Sequence, residues 1–183
     1  MLARAPRWNS HDGYTLIEMI VVAALVIIGS VIAIPVTRKM VSDARGDSAL
    51  SMTAAFLESA RNRAVAERRN VELTFLTSSS MQLERIEVPD GTRTIVATLQ
   101  LEGEAEFFRD LTLPDTDEAT GGPAGTAFNF TGAVPVMFTS DGSLIDSAGD
   151  VANGTIFIAT PNSLETTRAV TISGVTGLLR TWK

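Results

Sequence analysis

An apolar run from Leu16 to Val36 most constrains how this chain can fold. The run contains twenty-one residues and a single charge, Glu18. An α-helix rises about 1.5 Å per residue, so about twenty residues cross a hydrocarbon core of roughly 30 Å. The run is therefore long enough to form a transmembrane helix.

A cleaved secretory signal is the main alternative interpretation of this run. Arg4 and Arg7 precede it, and the stretch Ser-Val-Ile-Ala at residues 30–33 offers a small-residue cleavage site. The apolar core of a signal peptide is usually only about 7 to 15 residues long. The length of the run therefore favours a retained helix.

Glu18 needs an explanation, because an ionised carboxylate costs about 2.5 to 3.5 kcal/mol at the centre of a membrane. Two roles fit its place near the start of the run. In the first, the side chain reaches the lipid headgroups. In the second, cleavage after Gly13 creates an α-amino group on Tyr14, and Glu18 neutralises that group on a neighbouring copy. The second role would set the axial register between subunits.

Composition excludes several kinds of chemistry. The formal net charge of −6 argues against general nucleic-acid binding, which requires a cationic surface. The chain has no cysteine, so disulfides, thiolate metal sites and cysteine nucleophiles are excluded. Its one histidine is His11, which would leave with residues 1–13, and no Gly-x-Ser-x-Gly motif is present. We therefore expect no enzyme, no catalytic residue and no cofactor.

A second helical pattern follows the apolar run, over residues 37–70. Small and apolar residues recur there at three- and four-residue spacing, namely Leu50, Ala54, Leu57, Ala60 and Ala64. This spacing predicts an amphipathic helix that packs through residues 50–66 on a globular head. We expect the helix to end near Asn70, with Asn70 in the left-handed capping conformation.

From Val71 onward the hydrophobic period changes to two, which predicts a β-rich head over residues 71–183. The candidate strands are VELTFL, MQLERIEV, TIVATLQL, AEFF, FNF, VPVMFT, TIFIAT, RAVTIS and GLLRTW. The alternation slips within MQLERIEV and predicts a β-bulge near Glu84 and Arg85. Turns are predicted at residues 89–91, 140–143 and 174–177, and a surface loop at 114–127.

The stretch from Gly13 to Glu18, Gly-Tyr-Thr-Leu-Ile-Glu, resembles the class III signal of type IV pilins and pseudopilins. The resemblance implies that a prepilin peptidase cuts after Gly13 and N-methylates Tyr14, which replaces the usual phenylalanine. It also implies an assembly role for Glu18, at the fifth mature position. Pro35 stands at the twenty-second mature position, where the family commonly bends its helix. A proline there removes one backbone donor, so we expect a kink or local melting.

Later stretches are similar to the GspH/FimT group, which comprises the minor pseudopilin H of type II secretion and its type IV pilus counterpart. They are LESARNRAVAERRNVEL, FTSDGSL, GTIFIA and RAVTISGVTGLLRTWK. The resemblance implies a single-pass protein of the bacterial inner membrane with its C-terminal head in the periplasm. The implied partners are other major and minor pseudopilins or pilins, prepilin peptidase, the inner-membrane assembly platform and membrane lipid.

The pilus member of this group is associated with DNA uptake through a Gly-Arg-x-Arg motif near its C-terminus. Here the matching stretch at residues 177–180 is Gly-Leu-Leu-Arg, so the first arginine is missing. Arg180 and Lys183 remain as a weak candidate DNA contact, and we expect no functional nucleic-acid binding. The acidic stretch Asp115 to Glu118 lacks the ligand spacing of a calcium hand, so no metal site is expected.

Together these patterns predict an α+β, type IV pilin-like fold, in which a long N-terminal helix packs on an antiparallel β-sheet head. The expected parts are a leader (1–13), a transmembrane and assembly helix (14–36), an amphipathic helix (37–70) and the head (71–183). The expected function is that of a minor pseudopilin near the tip of a type II secretion pseudopilus. Two alternatives remain open: a type IV pilus minor pilin in pilus assembly, DNA uptake or adhesion, and an anchored single-pass binding domain.

Overall fold

A computed structural model of the chain describes residues 14–108, 127–160 and 163–182, with only the backbone given for residues 32–35, 38 and 163–166. The predicted leader with Gly13, nearly all of the loop predicted at 114–127, and Lys183 lie outside the described residues. The described residues fall into two compact units, which are divided between residues 40 and 41.

The described elements are one helix and nine strands. The helix α1 (Leu16–Glu67) begins in the first unit and ends in the second. The strands are β1 (Val71–Thr77), β2 (Ser80–Ile86), β3 (Arg93–Gln100), β4 (Phe128–Phe130), β5 (Val136–Phe138), β6 (Leu144–Ile145), β7 (Gly154–Thr160), β8 (Ser163–Ile172) and β9 (Leu179–Trp182).

The strands form two antiparallel sheets. The first sheet has the order β3-β2-β1-β5-β6 and the second has the order β4-β7-β8-β9. Backbone hydrogen bonds join the sheets at β6: the Leu144 N–H donates to the Gly174 carbonyl (2.7 Å), and the Ala152 N–H donates to the Leu144 carbonyl (3.0 Å). The predicted α+β class, with a long N-terminal helix and an antiparallel head, is confirmed.

The apolar stripe of α1 lies in the core of the second unit, as the sequence predicts. Leu50, Leu57, Ala60 and Ala64 are each at most 3% exposed, and Ala54 is half-buried. They share one core with inward-facing residues of both sheets, including Val71, Leu73, Met81, Leu83, Val136, Phe138, Ile156, Ile158, Val170 and Ile172. Full burial of one large apolar side chain contributes about 1.5 to 3 kcal/mol. This stripe therefore anchors the helix to the sheets.

The C-terminal end of α1 differs from the prediction. Arg68, rather than Asn70, has the left-handed backbone, with a φ of 52°. The Arg69 N–H donates to the Ala64 carbonyl (3.2 Å), which completes a Schellman motif around Arg68. The Asn70 carbonyl already accepts the Ile86 N–H beside the first sheet (2.9 Å), and Asn70 is not among the described residues with positive φ. The prediction that Asn70 caps the helix is wrong because sheet pairing begins there.

Most of the candidate strands are present, with two differences. The stretch AEFF forms only an isolated bridge between Glu106 and Ala159, and the two-residue strand β6 has no counterpart among the candidates. The turns predicted at 89–91, 140–143 and 174–177 are confirmed. Each contains a glycine with positive φ, namely Gly91, Gly142 and Gly177.

The β-bulge predicted near Glu84 is present, with its extra residue in the partner strand. Leu83 pairs with Ala97, and the next residue, Glu84, pairs with Ile95. The register shift therefore lies at Glu84, where the sequence predicts a bulge, and the extra residue is Val96 of the partner strand β3. The phase slip in β2 arises because its last apolar residues lie beyond the buried part of the sheet, where alternation is no longer required.

Helical backbone continues through residue 35, so the local melting expected at Pro35 does not occur. The expected kink stays a prediction.

Candidate assembly site

The first turn of α1 begins with a capping residue. The Thr15 hydroxyl accepts the Glu18 N–H (3.3 Å), and the Thr15 carbonyl accepts the N–H groups of Glu18 (3.1 Å) and Met19 (3.2 Å). A threonine followed three residues later by glutamate is the signature of a capping box, which the sequence analysis missed. The Glu18 carboxylate thus stands in the first turn, where the helix dipole favours a negative charge.

The helix surface that follows Thr15 is apolar on every side. Every large apolar side chain from Tyr14 to Val31 is at least 50% exposed, and several occur at consecutive positions. A helix that is apolar all round is normally covered by protein or lipid. Among residues 14–108, 127–160 and 163–182, no helix combines the length and the apolar character needed to cross a membrane.

The residues predicted for processing and assembly are only partly described. Gly13 lies outside the described residues, and Tyr14 is the first described residue and is 80% exposed. Glu18 is exposed, and the Pro35 backbone belongs to α1. Their roles in cleavage, methylation and assembly stay predictions.

The C-terminal candidate for a DNA contact is occupied by a local interaction. The Arg180 guanidinium carbon lies 4.6 Å from the centre of the Trp182 ring, a cation-π distance. The Trp182 indole N–H donates to the Thr171 hydroxyl (2.8 Å), which fixes the ring on the second sheet. Lys183 lies outside the described residues, so Arg180 is the only one of the two predicted contacts with a described environment.

Arg61 of α1 holds two turns that are far apart in sequence. Its Nε–H donates to the carbonyls of Gly142 (3.2 Å) and Thr176 (3.1 Å). Gly177 packs beside them, and a Cβ there would lie only 2.0 Å from the Gly142 carbonyl oxygen. These contacts bind the β5–β6 turn and the β8–β9 turn to the helix. Sequence reasoning missed Arg61, because helical periodicity places it off the apolar stripe.

Two aspartates stabilise the loops around β6. Hydrogen bonds from Thr139 and then Ser143 lower the pKa of Asp141 to about 2. Asp146 is 5% exposed, and its carboxylate accepts the N–H groups of Asp150 (2.9 Å), Ala148 (2.9 Å) and Ala133 (3.1 Å). The bond from Asp150 is the largest cause that lowers the pKa of Asp146. Both carboxylates therefore shape loops through their charged forms.

A small apolar cleft of about 260 Å³ lies between the two sheets. Its walls include Leu73, Phe75, Phe128, Phe130, Val134 and Val136. Phe75 stacks on Phe128 at 4.3 Å and meets Phe107 edge to face at 5.4 Å. No group of three or more metal-binding side chains occurs within the described ranges. The lining is that of a packing surface, with no pair of groups arranged for acid-base or nucleophilic chemistry.

Comparison with known proteins identifies the family to which this chain belongs. The model of the family described as "Type II transport protein GspH" matches residues 51–177, which is more than half of the chain. No curated protein matches the sequence at a significant level.

Two solved structures are similar. The minor pseudopilin EpsH from the type 2 secretion system of Vibrio cholerae has 12% identity and a TM-score of 0.49, over 75% of this chain and 96% of that one. The type IV minor pilin FimU of Pseudomonas aeruginosa has 16% identity and a TM-score of 0.49, over 75% of this chain and 92% of that one. On the strength of the family model, the chain belongs to the GspH family of type II transport proteins.

Proposed function

We propose that this chain is a structural minor pseudopilin of a type II secretion pseudopilus, cleaved after Gly13 and assembled near the tip of the fibre. The observation that carries the proposal is the exposed apolar surface of α1 from Leu16 to Val31, in which Glu18 of the first turn is the single charged residue. Such a surface suits a helix that packs against the corresponding helices of other subunits, and membership of the GspH family supports this packing role.

We further propose that residues 14–36 anchor the chain in the inner membrane and that the head lies in the periplasm. The support is the twenty-one-residue run from Leu16 to Val36 with its single charge, together with the family. Leaving lipid for a fibre requires that neighbouring helices cover the same surface. Burial against them restores about 25 cal/mol for each Å² of apolar surface.

In this proposal Glu18 has a role that the capping box alone does not require. Once Gly13 is removed, the amine of Tyr14 on one subunit and the Glu18 carboxylate on the next form an ion pair in an apolar setting. An isolated carboxylate there costs about 2.5 to 3.5 kcal/mol on insertion scales, so the pair favours the register that forms it.

The first test is mass spectrometry of the full-length protein extracted from the membranes of its native host. We expect an N-terminus at Tyr14 that carries one added methyl group. An intact leader up to Gly13 would refute the processing step and would favour an anchored binding domain, the third interpretation of the sequence.

The second test compares Glu18→Ala with Glu58→Ala, a control at another exposed glutamate of α1. Both variants should enter the membrane, because removal of a charge does not oppose insertion. Recovery of Glu18→Ala in sheared fibres should fall at least about tenfold, since its ion pair is lost. Glu58→Ala should match wild type. Equal recovery of all three proteins would refute the role of Glu18.

A deletion strain distinguishes the second candidate function, that of a type IV pilus minor pilin. Loss of protein secretion with transformation intact supports the pseudopilus. Loss of transformation or adhesion with secretion intact supports the pilus. The exposed Arg180 on β9 is the described residue that favours a DNA contact, so a mobility shift that Arg180→Ala abolishes would add DNA uptake.

A further inference from the structure

Asn153 directly precedes β7, and Gly154 is the first residue of that strand; together they are the one Asn-Gly pair in the sequence. The glycine nitrogen of such a pair can attack the side-chain amide carbon of the asparagine, because glycine has no Cβ to hinder the approach. The attack forms a bond from this nitrogen to Cγ and breaks the bond from Cγ to Nδ2. A cyclic imide results, and ammonia leaves with the proton of the glycine N–H. Water then opens the ring at either carbonyl, which yields aspartate or isoaspartate.

Two further described glycines follow a carboxylate, at Asp90–Gly91 and at Asp141–Gly142. An ionised carboxylate resists attack by nitrogen, since it already carries a negative charge. A hydrogen bond from the Thr92 hydroxyl lowers the pKa of Asp90, and one from the Thr139 hydroxyl is the largest cause that lowers the pKa of Asp141 to about 2. Both carboxylates are therefore ionised at neutral pH. The amide of Asn153 has no such charge, so its protection depends on the contacts around it.

In the folded head, Asn153 is held by two neighbouring segments. Its Oδ1 atom accepts the Gly174 N–H (2.7 Å), which fixes the side chain. Its own N–H donates to the Thr131 hydroxyl (3.0 Å), and its carbonyl accepts the Thr131 N–H (2.9 Å). Ring closure requires the side chain to turn toward the Gly154 nitrogen. These hydrogen bonds therefore have to break before the reaction can begin.

Gly154 is held on both sides by the second sheet. It is buried, and it pairs with Phe130 of β4 and with Ile172 of β8. A Cβ at Gly154 would lie only 1.8 Å from the Phe130 Cδ1 atom, so a larger residue would displace this ring. Gly174 is also buried, and its N–H needs the acceptor that Asn153 supplies. The packing thus uses both members of a chemically labile pair and also prevents their reaction.

We propose that Asn153–Gly154 is a latent modification site, which converts to isoaspartate when β7 leaves the second sheet and stays unmodified while the sheet is intact. Isoaspartate adds one carbon to the main chain, so the residues of β7 no longer meet their partners on β4 and β8. A head that has opened and reacted therefore cannot rebuild the second sheet. Chemical modification of this kind makes unfolding irreversible.

Peptide mapping by mass spectrometry tests the site in the full-length protein, solubilised in detergent at mildly alkaline pH. One sample is kept in native buffer and another in urea above the unfolding midpoint. Release of β7 requires a large part of the free energy of unfolding, so conversion of Asn153 should be at least about a hundredfold slower in the native sample. Asn153→Gln should give no product at this position, because its longer side chain would have to form a larger ring. Equal rates in buffer and urea, or no conversion in urea, would overturn the proposal.

A matched pair of variants tests which contacts protect the site. Thr131→Val removes the hydroxyl that accepts the Asn153 N–H, and Thr98→Val makes the same change at an exposed residue of β3 in the first sheet. Loss of one hydrogen bond should raise the native rate of Thr131→Val about two- to tenfold, whereas Thr98→Val should match wild type. Equal native rates in all three proteins would contradict the protective role of these contacts. If Thr131→Val does not fold, the comparison of wild type in buffer and urea decides.

Refolding tests the consequence of the modification. After partial conversion in urea, the protein is diluted into native buffer, and a protease removes chains that have not refolded. Isoaspartate at position 153 should be depleted at least about tenfold from the resistant fraction, because β7 has lost its register. The Asn153→Asp variant should refold, since a carboxylate oxygen still accepts the Gly174 N–H. Equal isoaspartate content before and after protease treatment would refute the irreversible step.

Discussion

Gly177→Ala should destabilise the head more than Gly91→Ala, although both glycines have a left-handed backbone. Their φ angles are +62° and +73°, so alanine at either position incurs about 1 to 2 kcal/mol of backbone strain. A Cβ at Gly91 meets no atom within 4 Å. A Cβ at Gly177 lies 2.0 Å from the Gly142 carbonyl oxygen, which belongs to the backbone and cannot rotate away.

The steric conflict at Gly177 determines how much more stability is lost in Gly177→Ala than in Gly91→Ala. Forcing extra volume into a packed site costs about 1 to 3 kcal/mol. We therefore expect a loss of about 1 to 2 kcal/mol for Gly91→Ala and about 2 to 5 kcal/mol for Gly177→Ala. Part of the larger loss comes from Arg61, whose Nε lies 2.8 Å from the new Cβ and would have to leave its two carbonyls.

Urea denaturation of the detergent-solubilised protein that begins at Tyr14 measures both losses. Once the leader with Trp8 is removed, Trp182 is the remaining tryptophan, and its bond to Thr171 makes its fluorescence a probe of the second sheet. The slope of the transition should be unchanged while its midpoint shifts. Equal midpoints for Gly177→Ala and Gly91→Ala would show that the close approach of the two turns is not rigid.

Leu57→Ala, in the core, should lower the free energy of unfolding by about 2 to 5 kcal/mol, while Glu58→Ala should change it by less than about 0.5 kcal/mol in the same urea titration. Arg93→Ala should lower the melting temperature because Glu72, only 6% exposed, loses its partner, and adding Glu72→Gln should restore most of the loss. No recovery in the double variant would contradict this pairing. Asp146 has a lowered pKa, so its stabilising effect is complete above its unfolded value, about 3.9, and disappears as pH falls through the folded value. The difference in urea midpoint between wild type and Asp146→Asn should therefore be constant from pH 7 to about 5 and shrink below about pH 4; a constant difference at pH 2.5 would contradict the assignment.

The sequence predicted the features that depend on periodicity. The stripe from Leu50 to Ala64 is visible because a helix buries one side at a fixed spacing, and the structure confirms it. The glycine turns at Gly91, Gly142 and Gly177 are visible because few other residues accept a positive φ. These features are local, so a single sequence contains the signal for them.

Features set by contacts between distant segments could not be read in this way. The helix ends at Glu67 because Asn70 is already paired with β2, and nothing near Asn70 in the sequence shows that pairing. The phase change in β2 indicated the position of the bulge near Glu84, but it does not tell which of the two paired strands carries the extra residue, which is Val96 of β3. The sequence does not distinguish Arg61 from a solvent-exposed helix arginine, because its hydrogen-bond partner Thr176 is distant along the chain.

The bond between Arg61 and the Thr176 carbonyl joins residues 115 positions apart, and the bond between Asp47 and Arg168 joins residues 121 positions apart. Ribosomes add about 5 to 20 residues per second, so the helix waits roughly 6 to 23 s for the segment that completes its packing. During that interval the side of the helix around Leu57 has no second sheet to cover it. The order of synthesis thus leaves the apolar side of the helix uncovered until the strands of the second sheet have been made.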